Sequence, residues 1–133
     1  MLDPRPATCL ELLVGPYALA LRAAVVLQIL EAVPAGEPFT FRQRRWPLCD
    51  LGEALAGGRR AVVPFALVLE AAGEGAVIGV DRIAHVAGTP VPAALPTFGL
   101  ARPDLFEAAL RHQGRLLLLL SPAALVAYVR ARP

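Results

Sequence analysis

Read for its apolar and polar positions, the chain falls into short runs punctuated by Gly and Pro. Cys9 to Val14 and Tyr17 to Arg22 are two apolar stretches separated by Gly15-Pro16, a turn dipeptide, and together they predict a hairpin. The next stretch fits two patterns: Ala23 to Ala32 has helical propensity, while Val25-Val26 and Ile29-Leu30 favour a strand. Pro34-Ala35-Gly36-Glu37-Pro38 reads as a loop and Phe39-Thr40-Phe41 as β-prone. Arg45 to Leu51 reads as a strand whose Pro47 belongs at an edge, an end or a bulge. Asp50 or Gly52 is placed to cap a short helix through Ala56, which Gly57-Gly58 ends. Arg60 to Glu70 follows as a strand interrupted by Pro64, and Gly73-Glu74-Gly75 as a tight turn into the strand beginning at Ala76. The alternating apolar run Ala76 to Val86 leads into an irregular connection through Pro90, Pro92 and Pro96. A hairpin turn at His112-Gln113-Gly114-Arg115, the strand Leu116 to Leu120 and a short helix Pro122 to Val129 close the chain.

About seven to nine short strands, with turn signals roughly every 8–12 residues, are the signature of a mainly β sandwich or barrel. Strands and helices do not alternate as βαβ units would require, so a doubly wound sheet is not expected. At 133 residues the chain is one domain or two small subdomains sharing a core. A chain of that length buries roughly two-thirds of its unfolded surface and can fold alone. Residues 1–8 form a polar, Pro-containing tail expected to be disordered, which leaves 9–129 as the folded domain.

The composition is 56% hydrophobic and 18% charged, with mean hydropathy +0.57, which raises the question of a membrane. A spanning helix needs about 20 consecutive apolar residues. Leu12 to Leu30 is broken by Gly15-Pro16, Arg22 and Gln28, and Leu116 to Val129 by Ser121-Pro122. The opening residues lack the basic and apolar regions of a signal peptide. The reading is therefore a cytoplasmic protein with some apolar surface reserved for partners.

Candidate chemistry is sparse. All 13 basic residues are arginine, a bias that looks like a GC-rich, bacterial genome, and the net charge of +2 does not by itself imply nucleic acid. Cys9 and Cys49 sit inside apolar segments and read as buried, reduced thiols. His85 and His112 have no acidic partner at ligand spacing. Gly57-Gly58-Arg59-Arg60 lacks the Lys-Ser/Thr of a phosphate loop, and Asp81, Asp104 and Glu107 do not make an acid pair. Ser121 suits a helix cap rather than a nucleophile. No catalytic residue, metal ligand set or cofactor is expected. The chain reads as non-enzymatic, built to hold a shape and present a surface.

Several stretches, in order and at similar distances, resemble a known family. Gly79-Val80-Asp81-Arg82-Ile83-Ala84-His85-Val86 is similar to the G-hydrophobic-V-D-x-V-x-x-V strand of CheW-like domains, the coupling proteins of bacterial chemotaxis. Leu95-Pro96, Gly114-Arg115 with the leucines 116–120, and Ala124-Leu125 match its later landmarks. Phe41-Arg42-Gln43-Arg44-Arg45-Trp46-Pro47-Leu48-Cys49-Asp50-Leu51 looks like its N-L-R-G-x-x-x-P-V-x-D-L element, with Arg42, Pro47 and Asp50 at the arginine, proline and aspartate positions. Tyr17-Ala18-Leu19 is similar to its early strand.

The resemblance implies two small SH3-like five-stranded β-barrel subdomains with short helices, one of them C-terminal. It implies a non-catalytic adaptor between a CheA-type histidine kinase, through that kinase's regulatory domain, and the cytoplasmic tips of methyl-accepting chemoreceptors. It also implies recruitment to chemoreceptor arrays. On the match Arg42 lies near the partner-facing surface. Arg44 and Arg45 flank it and give an electropositive patch that suits acidic receptor helices; without a partner they would serve as solubilising residues on a sheet edge. Trp46 is expected in the core and Asp50 as a cap.

The chain departs from the pattern at Thr40 (family Asn), Gln43 (family Gly), Leu120-Ser121 (family L-D) and Glu107 (family Gly), and its connection from Val33 to Phe39 is short. These departures lead to the expectation that one of the two usual partners is lost or weakly held. The alternative reading is a small β-barrel binding module for RNA or another acidic ligand, supported by Arg42, Arg44, Arg45, Arg59 and Arg60 alone.

Overall fold

The computed structural model describes residues 9–86, 90–96 and 102–132, so the expected 1–8 tail lies outside the described residues. Twelve strands and two α-helices run in the order β1 (Cys9–Val14), β2 (Tyr17–Arg22), β3 (Val26–Pro34), β4 (Phe39–Phe41), β5 (Arg44–Trp46), β6 (Leu48–Asp50), α1 (Leu51–Ala56), β7 (Val62–Ala71), β8 (Glu74–Val80), β9 (Arg82–His85), β10 (Val91–Ala93), β11 (Phe106–His112), β12 (Arg115–Leu120) and α2 (Pro122–Ala131). They form a six-stranded sheet, β10-β11-β12-β2-β1-β9, a four-stranded sheet, β3-β7-β8-β6, and the two-stranded ribbon β4-β5.

Alternation along the strands sorts the side chains into three clusters. Leu12, Leu19, Leu21 and Leu120 from the first sheet meet Leu67, Leu69 and Ile78 from the second, with Leu125 of α2, in one central core. The opposite face of the first sheet gathers Cys9, Ala20, Leu117 and Leu119. The opposite face of the second sheet gathers Val33, Val63, Val68 and Val77 with Phe41 and Trp46 of the ribbon. The central strands of each sheet, β1, β2 and β12 in one and β7 and β8 in the other, are thus buried on both faces, while β3, β9 and β10 are largely exposed. Five consecutive leucines can form one strand because Leu117 and Leu119 face one cluster while Leu118 and Leu120 face another.

The structure corrects several details of the sequence reading. Residues 45–51 are not one strand. Pro47 separates β5, paired with β4, from β6, which pairs in parallel with β8, and Leu51 already belongs to α1. Proline has no N–H for a ladder, but the Pro47 carbonyl still accepts from Val77 at 2.8 Å. The ambiguous 23–33 stretch resolves into a 3-10 turn, Ala23–Val25, and the long strand β3. Pro64 does not interrupt its strand: β7 runs on through it in unbroken register opposite Ala32, which sits at φ 53°, and the register shift of the β3-β7 pair falls elsewhere, between Val26 and Gln28.

The apolar run 76–86 is cut at Asp81, where the chain leaves the four-stranded sheet and enters the six-stranded one as β9, paired with β1. The turn before it is Ala72-Gly73, and the strand starts at Glu74. The Pro-rich connection contains the short strand β10, and α2 runs two residues past Val129.

Candidate partner-binding surface

The ribbon β4-β5 carries Arg42, Arg44 and Arg45. Phe39 pairs with Trp46, Thr40 with Arg45 and Phe41 with Arg44, which leaves Arg42-Gln43 as a two-residue turn. Both turn residues adopt left-handed backbone, φ 53° and 65°. Such a turn matches the twist of a hairpin but favours Asn-Gly or Asp-Gly. The turns Ala72-Gly73 and Gln113-Gly114 keep their second glycine; Arg42-Gln43 has none. Non-glycine residues held there cost on the order of 1–2 kcal/mol each and persist where the surroundings enforce them.

The enforcement comes from the two aromatics. Trp46 Nε1 donates to the Phe41 carbonyl at 3.0 Å, and the rings meet edge to face at 5.4 Å and 88°. The Trp46 indole lies against the backbone of Gly75 in β8 so closely that a Cβ there would sit 1.9 Å from it. Gly75 is therefore required by close approach, and the ribbon is anchored to the four-stranded sheet through Trp46.

On this anchor the three arginines are all exposed. The Arg42 guanidinium stacks on the Phe41 ring at 4.9 Å and that of Arg44 lies 6.0 Å from Trp46. Among the described residues no carboxylate is within ion-pair distance of Arg42, Arg44 or Arg45, whereas Arg22 pairs with Glu107, Arg115 with the mostly buried Glu11, and Arg59 with Glu53. The structure thus brings all three sequence candidates together as uncompensated positive charge on one rigid ribbon.

A second cluster was not visible in the sequence. Arg60 donates from Nε and Nη2 to the two oxygens of Asp50, both at 2.8 Å, and from Nη1 to Asp81 at 2.6 Å. Asp50 also caps α1 through the Gly52 N–H at 2.9 Å, and Asp81 accepts from the Gly15 N–H at 2.8 Å. Burial pushes the Asp81 carboxyl up, but the Gly15 and Arg60 hydrogen bonds outweigh it and hold it below the usual carboxylate range. The bonds to Asp50, less the cost of burial and with the further help of Asp81, strengthen the hold of Arg60 on its proton. Gly15 belongs to the β1-β2 turn and Asp50 to β6, so this cluster ties one sheet to the other. In the sequence Arg60 stood at a strand start, in a Gly-Gly-Arg-Arg stretch weighed against a phosphate loop and as support for an acidic ligand, not as a partner of Asp50 and Asp81. No local pattern marks the cluster, because Arg60 lies 10 and 21 positions from its two aspartates.

An open cleft of about 380 Å³, lined by Leu13, Phe65, Ile83, Arg82 and Arg115, lies where the two sheets meet. The remaining chemistry-bearing residues stay dispersed. His85 is exposed on β9, Cys9 and Cys49 are buried in different clusters, and burial raises both thiols, Cys49 to about 11. Ser121 caps α2 through the Ala124 N–H. Among the described residues no group of three or more His, Cys, Asp or Glu is placed to hold a metal ion, and no helix is long and apolar enough to cross a membrane.

No family model and no curated protein matches the chain. Among solved structures, the scaffolding protein TtCheW from Thermoanaerobacter tengcongensis is similar over 88% of this chain and 90% of that one, with a TM-score of 0.73 at 14% sequence identity. The chain has a CheW-like fold. The expected mainly β architecture with a C-terminal helix is what the structure contains. Its strands divide as six in one unit and four plus the ribbon in the other. Within the CheW-like fold, the departure at Gln43 acquires a physical meaning: it places a side chain at φ 65°, a position glycine occupies without strain.

Proposed function

We propose that residues 9–129, with α2 carried on to Ala131, act as a non-catalytic adaptor in a bacterial chemosensory complex. In this reading the chain joins a CheA-type histidine kinase to the cytoplasmic tip of a chemoreceptor, at the cytoplasmic face of a receptor array. The likeness of fold to a scaffolding protein over nearly the whole chain carries the reading. The arginine ribbon supports it, because uncompensated, pre-oriented guanidiniums steer and register an acidic protein surface. Arg42, at the tip, is the contact residue, flanked by Arg44 and Arg45. The strained Gln43 turn and the short β3-β4 connection flank the two ends of β4 and both depart from the family pattern, so in this reading one of the two partners is bound weakly.

The experiment is titration of the full chain against the kinase regulatory domain and the receptor tip from the same genome, with Arg42→Ala and melting controls. Binding to at least one partner is expected, weakened by Arg42→Ala by about 1 kcal/mol for a rim contact or roughly 2–5 kcal/mol for a buried charge pair. The Arg44→Ala and Arg45→Ala losses should be smaller and should fade with salt. Binding to neither partner would end the adaptor reading, and equal tight binding to both would show the departures to be neutral.

A further inference from the structure

The C-terminal helix brings a fourth arginine to the ribbon. Arg130 of α2 is fixed by its Nη1 donating to the Gly75 carbonyl at 3.1 Å and its Nε lying 3.3 Å from Glu74. Arg44, Arg45, Trp46, Glu70, Gly75 and Arg130 line one small pocket of about 30 Å³. That is too small for a whole ligand and admits only the oxygen-bearing end of a group entering from solvent. Its charges are three guanidiniums against Glu70 and the already engaged Glu74. Neither Arg44 nor Arg45 has a carboxylate partner among the described residues, and Arg130 keeps its Nη2 donors unassigned. A guanidinium presents five N–H donors in a planar fork, and charge-assisted bonds to an oxyanion are its strongest pairing. The cradle is built in advance: Trp46 backs Arg44, the Gly75 carbonyl holds Arg130, and the bare Gly75 backbone lets the indole close the wall.

We propose that this pocket receives one oxyanion head group, a carboxylate or a phosphoryl group borne by a side chain of a docked protein, and that α2 completes it through Arg130. The inference rests on the adaptor reading for the kind of partner, and it adds a helix that the ribbon alone does not implicate. Glu74 competes with the incoming group for Arg130, so removing that carboxylate should favour binding.

The test uses the full chain labelled with nitrogen-15 and three helical peptides identical but for one position, carrying glutamate, phosphoserine or glutamine. The arginine Nε–H resonances are followed during titration. Shifts at Arg44, Arg45 and Arg130 are expected with either or both charged peptides and none with glutamine, and the two charged peptides tell the carboxylate from the phosphoryl source. Arg130→Gln should weaken the bound peptide about fivefold, the loss of one rim charge. Glu74→Gln should tighten it, an effect that a purely structural salt bridge would not produce. Charged peptides that leave these three arginines unmoved, or a Glu74→Gln variant that binds no better, would overturn the proposal. A chemosensory partner that binds through Arg42 while the pocket stays silent would remove the pocket and leave the adaptor reading. A pocket that binds the peptides in a chain that binds neither partner would do the reverse.

Discussion

Truncating Arg60 to alanine is the perturbation whose cost follows most directly from the structure. It deletes three charge-assisted hydrogen bonds, two to Asp50 and one to Asp81. The Asp50 side chain is 2% exposed, so the truncation leaves a buried carboxylate that still accepts from the Gly52 N–H. Breaking a buried pair by removing one partner costs about 3–5 kcal/mol. The Arg60 side chain is 32% exposed, so water reaches the vacated side of Asp50 and moves the expected loss to the lower end, about 3 kcal/mol. At about 3–5 °C per kcal/mol for a domain of this size, the melting temperature should fall by roughly 10–15 °C. Urea and thermal unfolding can be followed through the single tryptophan, Trp46, which is 7% exposed. Arg59→Ala is the control: its side chain is 89% exposed and 3.4 Å from Glu53, and the loss should stay within about 0.5 kcal/mol. Adding Asp50→Asn to Arg60→Ala should recover about 1–2 kcal/mol, because asparagine caps a helix as well as aspartate and is neutral. An Arg60→Ala variant as stable as Arg59→Ala, or a double variant with no recovery, would refute the view that Asp50 depends on this cation.

Three further outcomes are expected. Gln43→Gly relieves left-handed strain that exceeds the flexibility glycine adds to the unfolded chain, and should stabilise by about 0.5–1 kcal/mol in urea titrations. Gly75→Ala must displace the Trp46 ring; it should cost about 1–3 kcal/mol and red-shift the tryptophan emission. The carboxyl of Asp81 is held below its unfolded value near 3.9, so its contribution to stability is present above about pH 4 and is lost as the pH falls through the folded value. Asp81→Asn should therefore flatten the stability–pH curve below about pH 4, measured by urea midpoints across that range.

Where local physics decided the outcome, the sequence was legible. The β1-β2 hairpin around Gly15-Pro16, the Asp50 cap of α1, the Ser121-Pro122 start of α2 and the Gln113-Gly114 turn all stand where turn and cap chemistry put them. Misreadings arose where tertiary pairing overrode a local signal. Pro64 lies inside a continuous strand, in unbroken register with β3, and Pro47 divides residues between two sheets because its neighbours find different partners. The three arginines of the ribbon were legible as a group because the family resemblance singles out Arg42 and the other two lie beside it in sequence. Arg130 and Arg60 were not, because each reaches its partners across 55 or 10 and 21 positions, a separation no local pattern encodes.

The apolar excess of the composition also has a physical source different from the one expected. It had suggested surface reserved for partners, yet much of it lies in three internal clusters, because the central strands of both sheets are covered on both faces. A strand with one solvated face would alternate, whereas a strand covered twice is apolar throughout. This arrangement leaves little apolar surface to advertise a docking site: four large hydrophobic residues, Ile29, Val62, Val91 and Leu116, are exposed among the described residues. On the proposed adaptor reading, recognition leans on charge held in fixed geometry, and the strand that fixes it is β8. At one end Gly75 receives Trp46 and the Arg130 bond; at the other, Asp81 receives Gly15 and Arg60. The arginine ribbon is therefore anchored on the strand whose far end passes, at Asp81, into the six-stranded sheet.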